Sequence, residues 1–137
     1  MIILVMGLSG SGKTYLAKPL ASMLNAAYFN ADKVREEYND WDFTSAGRKR
    51  QAYRMKELAD KSDTEDVVLD FICPTSEYRN IVRADFVVWM NTTKSSKYKD
   101  TDNIFSPPNH TDIEISEISN NNIENVYNLI ELKRRTL

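Results

Sequence analysis

The residues best suited to chemistry lie near the start of the chain, in GLSGSGKTYLA, Gly7 to Ala17. Gly7, Gly12, Lys13 and Thr14 have the spacing of a phosphate-binding loop, Gly-x-x-x-x-Gly-Lys-Thr, set between an apolar run and a helical pattern as that loop requires. Glycines let the backbone curl until successive N–H groups point inward at a phosphate, beside the positive end of the helix that starts there. The loop would take up the phosphates of a nucleoside triphosphate through Gly7, Ser9, Gly10, Ser11, Gly12, Lys13, Thr14 and Tyr15. Lys13 would reach the β- and γ-phosphates, and the Thr14 hydroxyl would ligate Mg²⁺. A turn that merely joined strand to helix would need neither the lysine nor the hydroxyl. These residues point to a phosphate donor and leave the acceptor to be read elsewhere.

In an open α/β sheet, ligands gather at the carboxyl ends of the strands, which singles out the residues after the second and third apolar runs. NADKVR follows the second. Asp32 would accept a proton from an attacking hydroxyl, or simply cap the helix that begins beside it. Arg35 would pair with an anionic group of the acceptor, or lie on a solvated helix face. On the next helix, at roughly 100° per residue, Arg48 falls in line with Ala52, Met55 and Ala59, the stripe that must face the sheet. A charge on that face needs a partner, so Arg48 is a better anion ligand than Lys49 or Arg50, which point outward with Tyr53. Gln51 lies about 60° to one side, still toward the interior. Asp70, in the third run VVLDFI, has the position of a second magnesium-side carboxylate, held through Thr14 or water. Cys73 and His110 are the only residues of their types. Cys73 reads as a small buried filler and His110 as a loop residue, with no partners for a disulfide, a nucleophilic triad or a zinc site.

These residues need elements to hold them. MIILVM reads as a strand buried on both faces. Lys13 to Leu24 carries Leu16, Leu20, Met23 and Leu24 at helical spacing, with a local kink expected at Pro19, which lacks a donor and crowds the preceding turn. AAYFN is a second strand, followed by the helix ADKVREEY with Asp32 as its cap, and a long helix runs from Ser45 to about Ser62. VVLDFI is a third strand, PTSEYRNIV a helix with proline in its first turn, and DFVVWM a fourth strand. Residues 91–112 are polar and without period, and a loop of that length inside a compact fold reads as a functional lid, here carrying Lys97 and Lys99. IEI is a fifth strand, and NNIENVYNLIELKRR a closing amphipathic helix through Ile123, Val126, Ile130 and Leu132. Such alternation implies an α/β fold of the three-layer P-loop kinase type, with a central parallel sheet of about five strands and helices on both faces. The length suits one domain over residues 1–137.

The chain has 18 basic and 20 acidic side chains and a net charge of −2, so nothing global attracts nucleic acid or an acidic membrane. The opening apolar run is too short for the core of a signal peptide and has no basic residue ahead of it. No stretch approaches the ~20 apolar residues of a membrane span. The composition predicts a cytoplasmic protein, with a small-molecule nucleotide acceptor expected only through a family resemblance and homodimerisation left open.

GLSGSGKTYLA, NADKVREEYNDWDFTSAGRKRQAYRM and DFICPTSEYR together resemble the adenylylsulfate kinase family, whose second motif reads Asp-Gly-Asp-Asn-Val-Arg, then Phe-Ser and an Asp-Arg…Asn-x-Arg helix. The similarity extends from the N-terminus to about Pro108, where KYKDTDNIFSPP is similar to the lid of short, lid-trimmed relatives. The resemblance implies transfer of the γ-phosphate of ATP to the 3′-hydroxyl of adenosine 5′-phosphosulfate, with Asp32 orienting or deprotonating that hydroxyl. It also implies that Arg35, Arg48 and Gln51 hold the phosphosulfate and ribose region. Phe43 would stack on the acceptor adenine with Phe105 of the lid on its other face, and backbone near Ile72 and Cys73 would complete the pocket. The chain departs from the pattern at Asn30-Ala31 (for Asp-Gly), Lys33 (for Asn), Gly47 (for the Asp before Arg48) and Gln51 (for Asn). Asp70 stands where sulfate-activating members generally have a small residue. These changes fall mainly on the acceptor side, so two other readings stay open. One is a kinase of this fold with a different acceptor, such as a nucleoside, a nucleotide, another small metabolite, or a polynucleotide end held by Arg48, Lys49, Arg50 and Arg54. The other is a non-catalytic ATP-binding module.

Overall fold

The computed structural model describes all 137 residues. Five strands, β1 (Ile2–Met6), β2 (Ala27–Asn30), β3 (Val67–Asp70), β4 (Phe86–Met90) and β5 (Ile113–Ile115), alternate with six helices. These are α1 (Lys13–Leu24), α2 (Ala31–Tyr38), α3 (Ser45–Asp60), α4 (Ser76–Val82), α5 (Lys99–Ile104) and α6 (Asn122–Arg135). The sheet is parallel throughout, in the order β2-β3-β1-β4-β5.

Central β1 is apolar at every position because both its faces are covered. Ile3 and Val5 pack with Leu16 and Leu20 of α1 and with Val126 and Ile130 of α6. Leu4 and Met6 pack on the other side with Val34 of α2, Ala52 and Met55 of α3, and Tyr78 and Val82 of α4. Register sets the carboxyl ends side by side: Val5 and Asn30 are both partners of Asp70. The loop after β1, the start of α2 and the turn after β3 therefore open onto the same end of the sheet.

Several boundaries differ from the sequence-based expectation. β3 ends at Asp70, two residues early, because the chain turns through Cys73, whose φ of 49° is left-handed. Thr75 caps α4, its hydroxyl accepting from the Tyr78 N–H at 3.4 Å, so Pro74 precedes the helix instead of lying in its first turn. Residues 91–112 are not a continuous loop. α5 forms within them around the buried Thr101, and the Asp102 carboxylate ties it back by accepting from the N–H and hydroxyl of Ser96, both at 2.7 Å. α1 runs unbroken through Pro19. Pro19 is exposed, as is Tyr15 four residues earlier, whose carbonyl loses its helical partner on the side where water reaches it. The stripe of α6 runs through Val126 and Ile130, while Leu132 is exposed.

Candidate active site

The loop between β1 and α1 is shaped by glycine at two points above all. Gly7 has φ +150°, and a Cβ there would stand 2.5 Å from the Met90 carbonyl oxygen and 2.8 Å from Ser11 Oγ. Gly10 has φ +82° and faces open space, so its conformation and not crowding calls for glycine. Lys13 follows at the first position of α1, and its Nζ donates to the Leu8 carbonyl at 3.0 Å. Burial lowers the Lys13 pKa, while the carboxylates of Asp70 and Asp32 pull it back up.

Below the loop, three donors converge on Oδ2 of Asp70: the Thr14 hydroxyl at 2.7 Å, the Tyr28 phenol at 2.6 Å and the Asn30 amide at 3.0 Å. Burial, then the Asp70 carboxylate, pushes the Tyr28 pKa up to about 12. Thr14 and Asp70 thus offer adjacent hard-oxygen donors on the wall of a cavity. That set fits Mg²⁺, which keeps several waters and takes one or two protein oxygens beside phosphate. No cluster of three or more His, Cys, Asp or Glu forms an all-protein metal cage.

On the opposite wall, Asn30 and not Asp32 caps α2, its side-chain oxygen accepting from the Lys33 N–H at 2.9 Å. The capping reading of Asp32 is thereby corrected. Its exposed carboxylate borders the cavity. Arg35 is buried, with its Nη1 donating to the carbonyls of Asp40 (2.9 Å) and Asp42 (3.2 Å) and its guanidinium 4.4 Å from the centre of the Phe43 ring. Burial lowers its pKa, and Asp40 opposes that shift. Arg48 is half-buried: Nε donates to the Phe43 carbonyl at 2.8 Å, and Nη1 and Nη2 both donate to Thr101 Oγ1 at 3.2 Å. The segment between these two arginines is clamped from outside by Arg50 and Arg54 on Asp40, at 2.8 and 3.1 Å, and by Arg50 on Asp42 at 3.0 Å. The Arg50 hydrogen bond chiefly holds the Asp40 carboxyl far below the usual carboxylate range. Gly47 is needed here because a Cβ would overlap Asp42.

One cavity of about 960 Å³ joins these walls. Ser9, Gly10, Gly12, Lys13, Thr14 and Tyr15 line it from the phosphate loop, and Asp32, Arg35, Phe43, Arg48, Asp70 and Ile72 from the rest of the sheet edge. Lys97 and Lys99 reach it from the start of α5 and the segment just before it. Other expected residues stand elsewhere. Gly7 lies under the loop, and Ser11 is fully buried with its hydroxyl unpartnered. Gln51 is fully buried too, and this corrects its expected contact with the acceptor: Nε2 donates to the Ala31 carbonyl at 2.9 Å and Oε1 accepts from Arg54 at 3.1 Å. Phe105 does not clamp against Phe43. It stacks on Trp89, with ring centres 6.5 Å apart, and meets the Arg79 guanidinium at 5.4 Å. Cys73 is fully buried, and burial pushes its thiol up to about 12, so it is the apolar filler its isolation suggests. The expected basic patch is largely neutralised, with Arg50 and Arg54 on Asp40 and Lys49 3.5 Å from Glu77.

Sequence reasoning missed Tyr28, Asn30, Trp41, Tyr78, Tyr98 and Thr101, all of which touch the cavity or the residues that line it. For the first two a signal existed. Residues two apart on a strand share a face, so Tyr28 and Asn30 had to point the same way at the end of β2.

The sequence model of the adenylylsulphate kinase family matches residues 1–114. No curated protein matches by sequence. Among solved structures, the Mycobacterium tuberculosis APS kinase in complex with AMPPNP and APS superposes with a TM-score of 0.76 at 22% identity, covering 97% of this chain and 96% of that one. A cysteine-to-alanine mutant of that enzyme gives 0.74 at 25% identity, over 95% and 96% of the two chains. A gluconokinase from Sinorhizobium meliloti 1021 gives 0.70 at 17% identity, over 98% and 94%. These likenesses show a three-layer α/β P-loop kinase fold.

Proposed function

The chain belongs to the adenylylsulphate kinase family, a family of phosphotransferases, and from that premise we propose that it transfers the γ-phosphate of ATP to the 3′-hydroxyl of adenosine 5′-phosphosulfate. The observation that carries this reading is the single cavity with a phosphate loop on one wall and a carboxylate, two arginines and an exposed aromatic ring on the other. A donor and an acceptor nucleotide have matching chemistry on those two walls.

In this reading Lys13 leaves the Leu8 carbonyl for the β- and γ-phosphates, and the Thr14 hydroxyl and Asp70 would hold Mg²⁺. When bound, the ion neutralises charge on the phosphate oxygens during transfer. Asp32, free of capping, orients the attacking hydroxyl and takes its proton as the new P–O bond forms and the β–γ bridge breaks to release ADP. Arg35 and Arg48 hold the anionic group of the acceptor, Phe43 offers its ring to the base, and Lys97 and Lys99 close over the transferring group. Residues 1–137 act as one domain in this scheme.

Lys13→Ala is expected to lower turnover by about 10²–10³-fold while the far-ultraviolet spectrum and melting temperature stay as in wild type. Asp32→Ala is expected to lose about 10²-fold in kcat with ATP affinity unchanged. Near-wild-type turnover in Asp32→Ala would contradict its role.

The positions of Gln51 and Phe105 favour a second reading, in which the same donor site serves a different small acceptor, since two contacts expected for the phosphosulfate nucleotide are committed elsewhere. The pairing of Arg50 and Arg54 argues against a polynucleotide. ADP release from ATP, measured with adenosine 5′-phosphosulfate, nucleosides, nucleotides, sugar acids and 5′-hydroxyl oligonucleotides, separates these readings. No stimulation by adenosine 5′-phosphosulfate removes the first; no stimulation by any acceptor leaves a nucleotide-binding module.

A further inference from the structure

Three donors on one carboxylate oxygen are one more than its lone pairs need. A carboxylate has about four acceptor sites over its two oxygens, yet Thr14, Tyr28 and Asn30 all donate to Oδ2 of Asp70. Oδ1 takes no hydrogen bond from the protein and is not among the fully buried unpartnered atoms, and Asp70 is one of the residues that line the cavity.

The three donors are not equally anchored. Thr14 sits on an exposed turn of α1, and its hydroxyl turns about one bond. Tyr28 and Asn30 belong to β2, where Asn30 is the register partner of Asp70. The Asn30 side chain is fixed a second time, because its oxygen accepts from the Lys33 N–H and its amide is thereby aimed at Asp70.

We infer that Tyr28 and Asn30 are positioning residues that keep Asp70 satisfied and oriented when the Thr14 hydroxyl turns from it toward the magnesium-bearing phosphates of the nucleotide. The inference rests on the donor half of the proposed function. Asp70 is only 2% exposed, so water does not readily replace a lost donor. With Tyr28 and Asn30 in place, Oδ2 keeps two hydrogen bonds after Thr14 leaves. Without the phenol it keeps one, and Thr14 is held back. The penalty falls only on the state in which Thr14 has turned.

The test is the affinity of a fluorescent non-hydrolysable ATP analogue, measured in EDTA and in Mg²⁺. In Tyr28→Phe the affinity in EDTA is expected to match wild type, while the enhancement by Mg²⁺ shrinks about tenfold. In a Thr14→Ala background, where no hydroxyl is left to release, adding Tyr28→Phe is expected to change nothing further. Equal loss in EDTA and in Mg²⁺ would mean that Tyr28 merely supports the fold, and would overturn the inference. So would full Mg²⁺ enhancement in Tyr28→Phe while wild type shows it. If wild type shows no Mg²⁺ enhancement at all, the donor reading fails and this inference falls with it. Should Tyr28→Phe not fold, Asn30→Ser makes the same measurement, since it keeps a capping oxygen for α2 and loses only the amide donor.

Discussion

At the scale of single residues, the site depends on positions that admit one side chain for reasons of space or charge. Gly7 combines a positive φ with a carbonyl oxygen where a Cβ would be, so Gly7→Ala must move β4 or the loop. It is expected to cost at least about 2 kcal/mol, read as a lower urea midpoint. Gly10→Ala meets no neighbour and carries only the conformational strain, about 1–2 kcal/mol, so the two variants should rank in that order. An equal loss in both would show that φ, and not the Met90 contact, governs the loop. The phosphate loop was legible in sequence because its chemistry fixes residue types at fixed spacing. Asp32, Arg35 and Arg48 were legible because a charge near a strand end or on an apolar stripe needs a reason. Gln51 was misjudged by the same argument: its inward direction was right, but a backbone carbonyl of α2, invisible in one dimension, satisfies it.

At the scale of elements, α5 and the segment that leads into α3 share a side chain. Arg48, from the first turn of α3, hydrogen-bonds both the Phe43 carbonyl and the Thr101 hydroxyl of α5. Thr101→Val removes the acceptor for two guanidinium hydrogen bonds and keeps the shape. Amide exchange across α5 is expected to speed about tenfold, with β1 and β4 unchanged. Unchanged exchange in α5 would mean that the Ser96–Asp102 contacts alone order it. The chain just after α5 is tied independently, where Arg79 donates to the Ser106 carbonyl and Ser106 N–H donates to the Pro74 carbonyl at 2.8 Å. The strands and long helices were readable from apolar period. α5 was not, because its order comes from one buried threonine and side-chain contacts with Ser96, and a six-residue polar segment has no period to read.

At the scale of the whole molecule, the buried Cys73 thiol and the half-buried Tyr28 phenol make its stability fall at high pH. Burial raises Cys73 from an ordinary value of 9.0 to about 12, and burial with Asp70 raises Tyr28 from 10.0 to about 12. Between those limits the unfolded chain has released protons that the folded chain retains, so unfolding is favoured as pH rises. The melting temperature is expected to fall progressively between about pH 9 and pH 12, and Cys73→Ala should flatten the first part of that fall. A flat profile across that window would show that the fold holds neither group protonated. The strand order has a consequence for how the molecule is made. β1 is synthesised before both of its neighbours, β3 and β4, which lie more than sixty residues downstream. Pairing of this kind must close long loops before any contact rewards it, and such topologies refold slowly. A nascent chain released before Met90 would carry an apolar segment with an unmatched edge. Truncation between α3 and β4 is therefore expected to yield an aggregating fragment, whereas loss of the last turn of α6 leaves the central pairing intact.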